Sequence, residues 1–331
     1  MKLKQLQYIS TVAKCDFNIS QAADKLHTTQ PGVSTQIRLL EEELGSLIFV
    51  RHGKRIIELT PAGHEVLRLA EEALLKVDAI REVSEDLKHE DRGTLTIATT
   101  HTQARYALPS TIAAFVKEFP KVQLRIRQSN PTEIANMVVR GEADIGIATE
   151  SLGEHDELLV LPVYRWNRCV VAPLNHPILA EKNLTLQKIS EYPIVTYDFA
   201  FAGRTAMNKA FSIRRLKPNV VLSAVDGDVI KHYVELGLGI GILGNMAYDP
   251  RTDTGLRSVD VSDLFDDSIS KLGVRKGRYL RQYVYRFMEL FGPHLVRRVI
   301  EPAIMGGKLE ENTFDLDKLP TLTKPNTPLS Q

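Results

Sequence analysis

Residues Asn18–Gly45, NISQAADKLHTTQPGVSTQIRLLEEELG, decide how the N-terminal part of this chain folds. A short helical pattern carrying Ala22, Ala23 and Leu26 breaks at His27 and Thr28 and resumes as a second helix, the spacing of a helix-turn-helix. At about 100° per residue, Val33, Ile37, Leu40 and Leu44 share one face of that second helix, and Pro31, Ser34, Thr35 and Arg38 share the opposite one. One face packs; the other is free to enter a groove. Gln30 lies near the exposed helix start, from which Gln bonds adenine in bidentate fashion and Ser or Thr bonds either base type. RHGKR, Arg51–Arg55, then sets three cations around a glycine turn, as a wing over phosphates would. Charge alone does not separate this from a small helical protein-binding module, because residues 1–60 hold eight Lys plus Arg against six Asp plus Glu, a balance of +2.

The N-terminal unit, residues 1–59, ends at LTPAG, where Thr60 is placed to cap a helix and Pro61 to occupy its first turn. Over 60–91 the apolar or small positions Val66, Ala70, Ala73, Val77, Ile80, Ser84 and Leu87 recur in steps of four and three, a seam that calls for a partner helix. A dimerising linker is expected; one amphipathic helix packed on its own domain is the alternative. From Gly93 strand-like and helix-like runs alternate, which implies a parallel sheet wound by helices. About 200 residues of this suit two lobes around a cleft over 92–305. Residues 306–331 have few apolar anchors and read as a flexible tail.

At 331 residues, 43% hydrophobic and 25% charged, the chain matches ordinary globular protein of two or three domains. No apolar run approaches the roughly 20 residues of a membrane span and no export signal is expected, so a cytoplasmic location follows. Cys15 and Cys169 are too few and too distant for a disulfide framework or thiolate metal site, and read as buried apolar residues. A formal charge of +1 leaves any DNA contact to local patches. Gly239, Gly241 and Gly244 match dinucleotide-binding spacing by letter, but they end a helix and enter a strand, the wrong context. The nine histidines fall in no local metal spacing, and no motif sets a nucleophile beside a base, so neither enzyme nor cofactor nor metal is expected.

In Thr96–Pro109, TIATTHTQARYALP, a strand gives way to a helix through hydroxyls and an amide. That turn falls at the carboxyl end of the first strand, where such sheets bind ligands. Free N–H groups at a helix start favour an anion, and Thr100, Thr102 and Gln103 add uncharged donors. Alternatively Thr100 or Thr102 only caps the helix. Thr149 ends the third strand, and TYDFAFAGRT, Thr196–Thr205, opens the second lobe's helix with Arg204. Tyr164, Trp166 and Tyr197 belong to the cleft wall or to the core.

QAADKLHTTQPGVSTQIRLLEEELGSLIFVRHGKRIIELTPAG resembles the N-terminal domain of LysR-type transcriptional regulators through more than 40 continuous residues, including QPGVS, LEEELG and LTPAG. The resemblance runs from Met1 to about Leu295. It implies an α/β protein with a winged helix-turn-helix, a linker helix for homodimers, and a two-lobed effector domain like periplasmic binding proteins, assembled as a homotetramer on double-stranded promoter DNA with RNA polymerase as a further partner. By the same resemblance Gln30, Pro31, Ser34 and Thr35 fall on base-reading positions, where the family often has Arg in place of Thr35, and Arg51 and Lys54 fall on the wing. TTHTQARYALP, ADIGIATE, YRWNR and the aromatic-Ala-Gly-Arg turn look like the CysB-like branch, activators of sulfur assimilation and sulfonate use. That branch binds sulfate-like anions or acetylated serine between the lobes. Thr100, Thr102, Gln103 and Thr149 match its anion-contacting residues; Ala202 stands where a threonine is usual. Sulfate, thiosulfate and O- or N-acetylserine are the expected effectors. Against this stand an anion receptor without DNA function and, more remotely, an enzyme using the cleft.

Overall fold

The computed structural model describes the chain except residues 54, 89–90, 200–201, 311–312 and 329–331, with backbone only at 81–82, 84–88 and 202–203. It divides into two compact units, one of residues 1–88 with 277–279, the other of residues 89–276 and 280–331.

In the first unit, α1 (Leu3–Lys14), α2 (Ile19–Lys25) and α3 (Gln30–Leu44) precede a hairpin of β1 (Phe49–His52) and β2 (Arg55–Leu59), followed by the long α4 (Pro61–Lys88). Asn18 Oδ1 accepts from Gln21 N at 3.1 Å and Thr29 Oγ1 from Gly32 N at 3.3 Å, so both helices of the motif are capped by their own flanking side chains. Gly45 ends α3 at φ +63, the left-handed turn a side chain resists. Val33, Ile37 and Leu40 are fully buried against α1 and α2, but Leu44 is 41% exposed: the last turn overhangs the core. In α4, Ala70 is buried in this core and Val66 and Ala73 pack against it. Further along the same helix Ile80 is 69% exposed. The first part of the apolar series therefore closes its own domain, and Ile80 stands outside that core.

The second unit holds two five-stranded sheets. Its elements are β3 (Gly93–Thr99), α5 (Pro109–Glu118), β4 (Val122–Gln128), α6 (Pro131–Val139), β5 (Ile145–Ala148), β6 (Leu158–Trp166), β7 (Arg168–Pro173), α7 (Leu186–Ser190), β8 (Ile194–Tyr197), α8 (Ala202–Ile213), β9 (Val220–Ala224), α9 (Gly227–Glu235), β10 (Ile240–Gly244), β11 (Leu256–Asp260), β12 (Ser268–Arg275), α10 (Gln282–Phe291) and α11 (Arg297–Ile304). The first lobe orders its strands β4-β3-β5-β12-β6 and the second β11-β7-β10-β8-β9. Each lobe has a parallel triplet, as the alternating sequence implies, but neither sheet is purely parallel. The chain crosses from the first lobe to the second at Asn167 and returns through 261–267, so strands arriving from the other lobe run antiparallel. Asn167 Nδ2 joins the two crossings, donating to Phe265 O at 3.1 Å and Asp267 Oδ1 at 2.7 Å.

Within 306–331, read from the sequence as a flexible tail, the stretch 319–326 makes ordered contacts. Arg165 N donates to Pro320 O and Leu322 N to Arg165 O, both at 2.8 Å, which makes a single parallel bridge between Thr321 and the edge strand β6. Leu322 is 2% exposed within the lobe core, and Asn326 N donates to Tyr106 O at 2.7 Å. Two apolar side chains, Leu319 and Leu322, and an unpaired sheet edge suffice to dock this segment. It also walls a cavity of about 640 Å³ on the second lobe, with Asn245, Ser258 and Arg251 opposite Thr323, Lys324 and Thr327.

Candidate functional site

Two surfaces carry chemistry. On the first unit, Gln30, Pro31, Thr35 and Arg38 are exposed along α3 and Ser34 is half-buried among them. Arg38 Nη1 lies 3.5 Å from Glu42 Oε1, a solvent-exposed pair that leaves the guanidinium free to exchange partners. The hairpin turns at Gly53, φ +61, and pairs His52 with Arg55; Lys54 lies outside the described residues. Arg51 is committed inward: its Nη2 donates to Glu41 Oε2 at 2.7 Å, while Glu41 Oε1 accepts from Ile48 N and Phe49 N at 2.9 and 3.2 Å. Glu41 is 4% exposed, so this bridge braces the hairpin against α3. A hollow of about 640 Å³ between α2 and the hairpin is lined by Ser20, Gln21, Gln30, His52 and Arg55. Ser20 and Gln21 of α2 were not singled out in the sequence, and the hairpin's return brings Arg55, one of the three wing cations, to the same hollow as Gln30.

In the second unit, the carboxyl ends of β3, β5 and β8 present the sequence-selected residues. After Thr99 the chain makes one turn and then a π-helical turn over Gln103–Ala107. Thr102 makes no capping bond, and the bond from Gln103 N to Thr100 Oγ1 is long at 3.5 Å, so helix capping does not use up these hydroxyls. Gln103 points elsewhere. Its Nε2 donates to Ser270 Oγ at 2.9 Å and its Oε1 accepts from the Tyr164 hydroxyl, both partners fully buried. Ser270 Oγ is 3.5 Å from Thr149 Oγ1, which also accepts from Trp166 Nε1 at 3.4 Å. A relay of side chains thus runs from the first turn through β12 and β5 to the end of β6.

Arg204 lies in the first turn of α8 and is 7% exposed. Its Nε donates to Asn208 Oδ1 at 3.0 Å and its guanidinium lies 4.4 Å over the Phe199 ring, but Nη1 is buried with no hydrogen-bond partner among the described residues. Burial holds its pKa below the usual guanidinium range, opposed by the charge of Asp198. Ala202 opens the same helix, and its side chain lies outside the described residues. Burial pushes the Tyr197 phenol up to about 12; Thr102 and Gly244 moderate the rise without reaching hydrogen-bond geometry. Across the lobes, the Tyr106 hydroxyl donates to Asp228 Oδ1 at 2.6 Å and Arg105 Nε is 3.4 Å from Asp228 Oδ2. Among the described residues, no group of three or more His, Cys, Asp or Glu is arranged to hold a metal, and no helix is long and apolar enough to cross a membrane.

Residues 3–64 match the family described as bacterial regulatory helix-turn-helix protein, lysR family, and residues 88–295 match the LysR substrate binding domain. The chain belongs to the LysR family of transcriptional regulators. It is 47% identical over 316 residues to the HTH-type transcriptional regulator CysB of Burkholderia cenocepacia, covering 96% of this chain and 100% of that protein. It is 48% identical over 295 residues to the regulator SsuR of the same organism, covering 89% of this chain and 96% of that protein. The crystal structure of the cofactor-binding domain of the Cbl transcriptional regulator superposes with a TM-score of 0.63 at 42% identity, covering 65% of this chain and 95% of that one. This LysR protein therefore stands in the sulfur-related branch, whose members are transcriptional regulators and not enzymes. LysR regulators bind DNA and small-molecule effectors and oligomerise.

Proposed function

We propose that this LysR protein is a cytoplasmic regulator of sulfur assimilation and cysteine biosynthesis genes that senses a small sulfur-related effector, sulfate, thiosulfate or acetylserine, between the lobes of its second unit. The observation that carries the effector reading is the buried Arg204 Nη1, without a partner among the described residues, a donor that an anion would satisfy. Thr100, Thr102 and Thr149 supply neutral donors, Arg204 supplies charge, and Gln103 positions the turn from within the lobe. In the first unit, Gln30, Pro31, Ser34, Thr35 and Arg38 read the major groove, with Lys54 and Arg55 on phosphates and Arg51 as their brace. We place the domain limits at 1–59, 60–91 and 92–305, with the apolar series of the linker helix, where Ile80 is exposed, as a homodimer seam and a homotetramer on the promoter as the working form. RNA polymerase is the partner that a promoter-bound activator requires.

The near-equal identities to CysB and SsuR support a second reading, a relative dedicated to sulfonate use. Calorimetric titration of the full chain with sulfate, thiosulfate and O- and N-acetylserine, repeated on Thr100→Ala plus Thr102→Ala, tests the cleft. Binding that the double variant loses supports it; binding of none refutes it. Loss of sulfur-assimilation promoter DNA binding in Gln30→Ala and Ser34→Ala, with ligand binding retained, tests the other half.

A further inference from the structure

The turn that carries Thr100 and Thr102 continues into the π-helical Gln103–Ala107, which brings Tyr106, 5% exposed, to the seam between the lobes. There Asp228, in the first turn of α9 on the second lobe, gathers three groups: the Tyr106 hydroxyl at 2.6 Å, Lys231 Nζ at 3.2 Å and Arg105 Nε at 3.4 Å. Lys231 Nζ also lies 5.4 Å from the centre of the Tyr106 ring and is held by Asp253 Oδ1 at 2.9 Å. Burial and the Asp228 contact push the Tyr106 phenol above the ordinary tyrosine range, so at neutral pH it remains a donor to a charged acceptor. Gly227 shapes the seat. A side chain there would stand 3.2 Å from Ala247 Cβ, 3.3 Å from the Tyr197 hydroxyl and 3.8 Å from the Tyr106 hydroxyl. The seam thus adjoins Tyr197, which ends β8 and whose phenol Thr102 influences. At the backbone of the same residue, Asn326 N donates to Tyr106 O at 2.7 Å from φ +59, a left-handed turn that Asn adopts more readily than most residues.

We infer that Tyr106 is a positioning residue for the effector: its bond to Asp228 latches the first-lobe turn to α9 and sets the distance from the Thr100 and Thr102 hydroxyls to Arg204 on the second lobe. This rests on the cleft reading above. A ligand gripped from both lobes needs them at one separation, and a latch that sets it before binding spares the ligand that ordering cost. Opening the latch removes no effector contact. It lowers the fraction of molecules ready to make all of them at once, and apparent affinity falls by that fraction.

The test titrates the full chain with sodium sulfate and with N-acetyl-L-serine by calorimetry. Tyr106→Phe, which removes one hydroxyl, is expected to weaken whichever probe binds the unaltered chain by about tenfold. Asp228→Ala should do the same, and the two substitutions together should cost no more than either alone. Asp228→Asn keeps an acceptor oxygen and should restore most of the loss. A general loosening of the unit would give neither the shared loss nor the rescue. Affinity unchanged or raised in Tyr106→Phe, or losses that add in the double variant, overturns the latch; if Thr100→Ala plus Thr102→Ala still abolishes binding, the cleft reading stands without it. Binding of neither probe by the unaltered chain means that the cleft reading has failed and the latch with it.

Discussion

The Arg204 guanidinium lies 4.4 Å above the Phe199 ring while its Nη1 is buried and unpaired among the described residues. Stacking on the ring orients the cation without neutralising it. Arg204→Ala should therefore weaken anion binding by tenfold or more, since a charge-assisted hydrogen bond contributes about 1.5–3 kcal/mol. It should not lower the thermal midpoint, because the residue removed is an uncompensated buried charge. Calorimetry and thermal denaturation on the same variant check both halves.

Gln103 is expected to behave oppositely. Gln103→Ala strands the Tyr164 and Ser270 hydroxyls inside the lobe and should cost about 1–3 kcal/mol of stability. Thr100→Ala and Thr102→Ala should each cost less than about 1 kcal/mol, as neither hydroxyl makes a good cap. Urea unfolding curves of the three variants give the comparison directly.

Arg51 and Arg55 flank one glycine turn but should separate in a DNA-binding assay. Arg51→Ala breaks the bridge to buried Glu41 and is expected to destabilise the first unit. Arg55→Ala should leave stability alone and reduce the slope of log affinity against log salt by about one. Equal salt slopes for the unaltered chain and Arg55→Ala would remove it from the phosphate contacts.

Asp228 gives the cross-lobe contact a pH dependence. Burial alone would raise its pKa, but the Tyr106 hydrogen bond and the charges of Lys231 and Arg105 outweigh that, and the folded-state pKa lies below 3.8. A depressed carboxylate contributes stability above its unfolded pKa and loses it as pH falls through the folded one. Denaturation midpoints of the unaltered chain and Asp228→Asn should thus differ at pH 6 and draw together as the pH falls below the ordinary Asp range.

What could be read in advance depended on how local the cause was. Thr29, Gly45 and the Val33, Ile37, Leu40 stripe act within a few residues of themselves, and the helix-turn-helix follows from them. The hydroxyl turn was legible because a strand end and a helix start adjoin in sequence. The engagement of the Gln103 amide by Ser270, 167 positions away, could not be read in the sequence, since it comes through a strand that enters only after the second crossing. Arg51 was hidden for a similar reason, as nothing in RHGKR announces Glu41. Strands β6, β7 and β11 escaped the alternating pattern because they exist to cross or border the lobes, with no helix between.

The docked C-terminal segment has a practical consequence. Its hold is made at Arg165, Leu322's pocket and Tyr106, with Leu319, Phe314 and Leu309 packed on the same unit ahead of them. A protease cut near Gly306 or Gly307 should leave the end peptide in place through purification, and a synthetic copy should exchange with it. The end segment, supplied in trans and labelled, would then report the state of the crossing it borders.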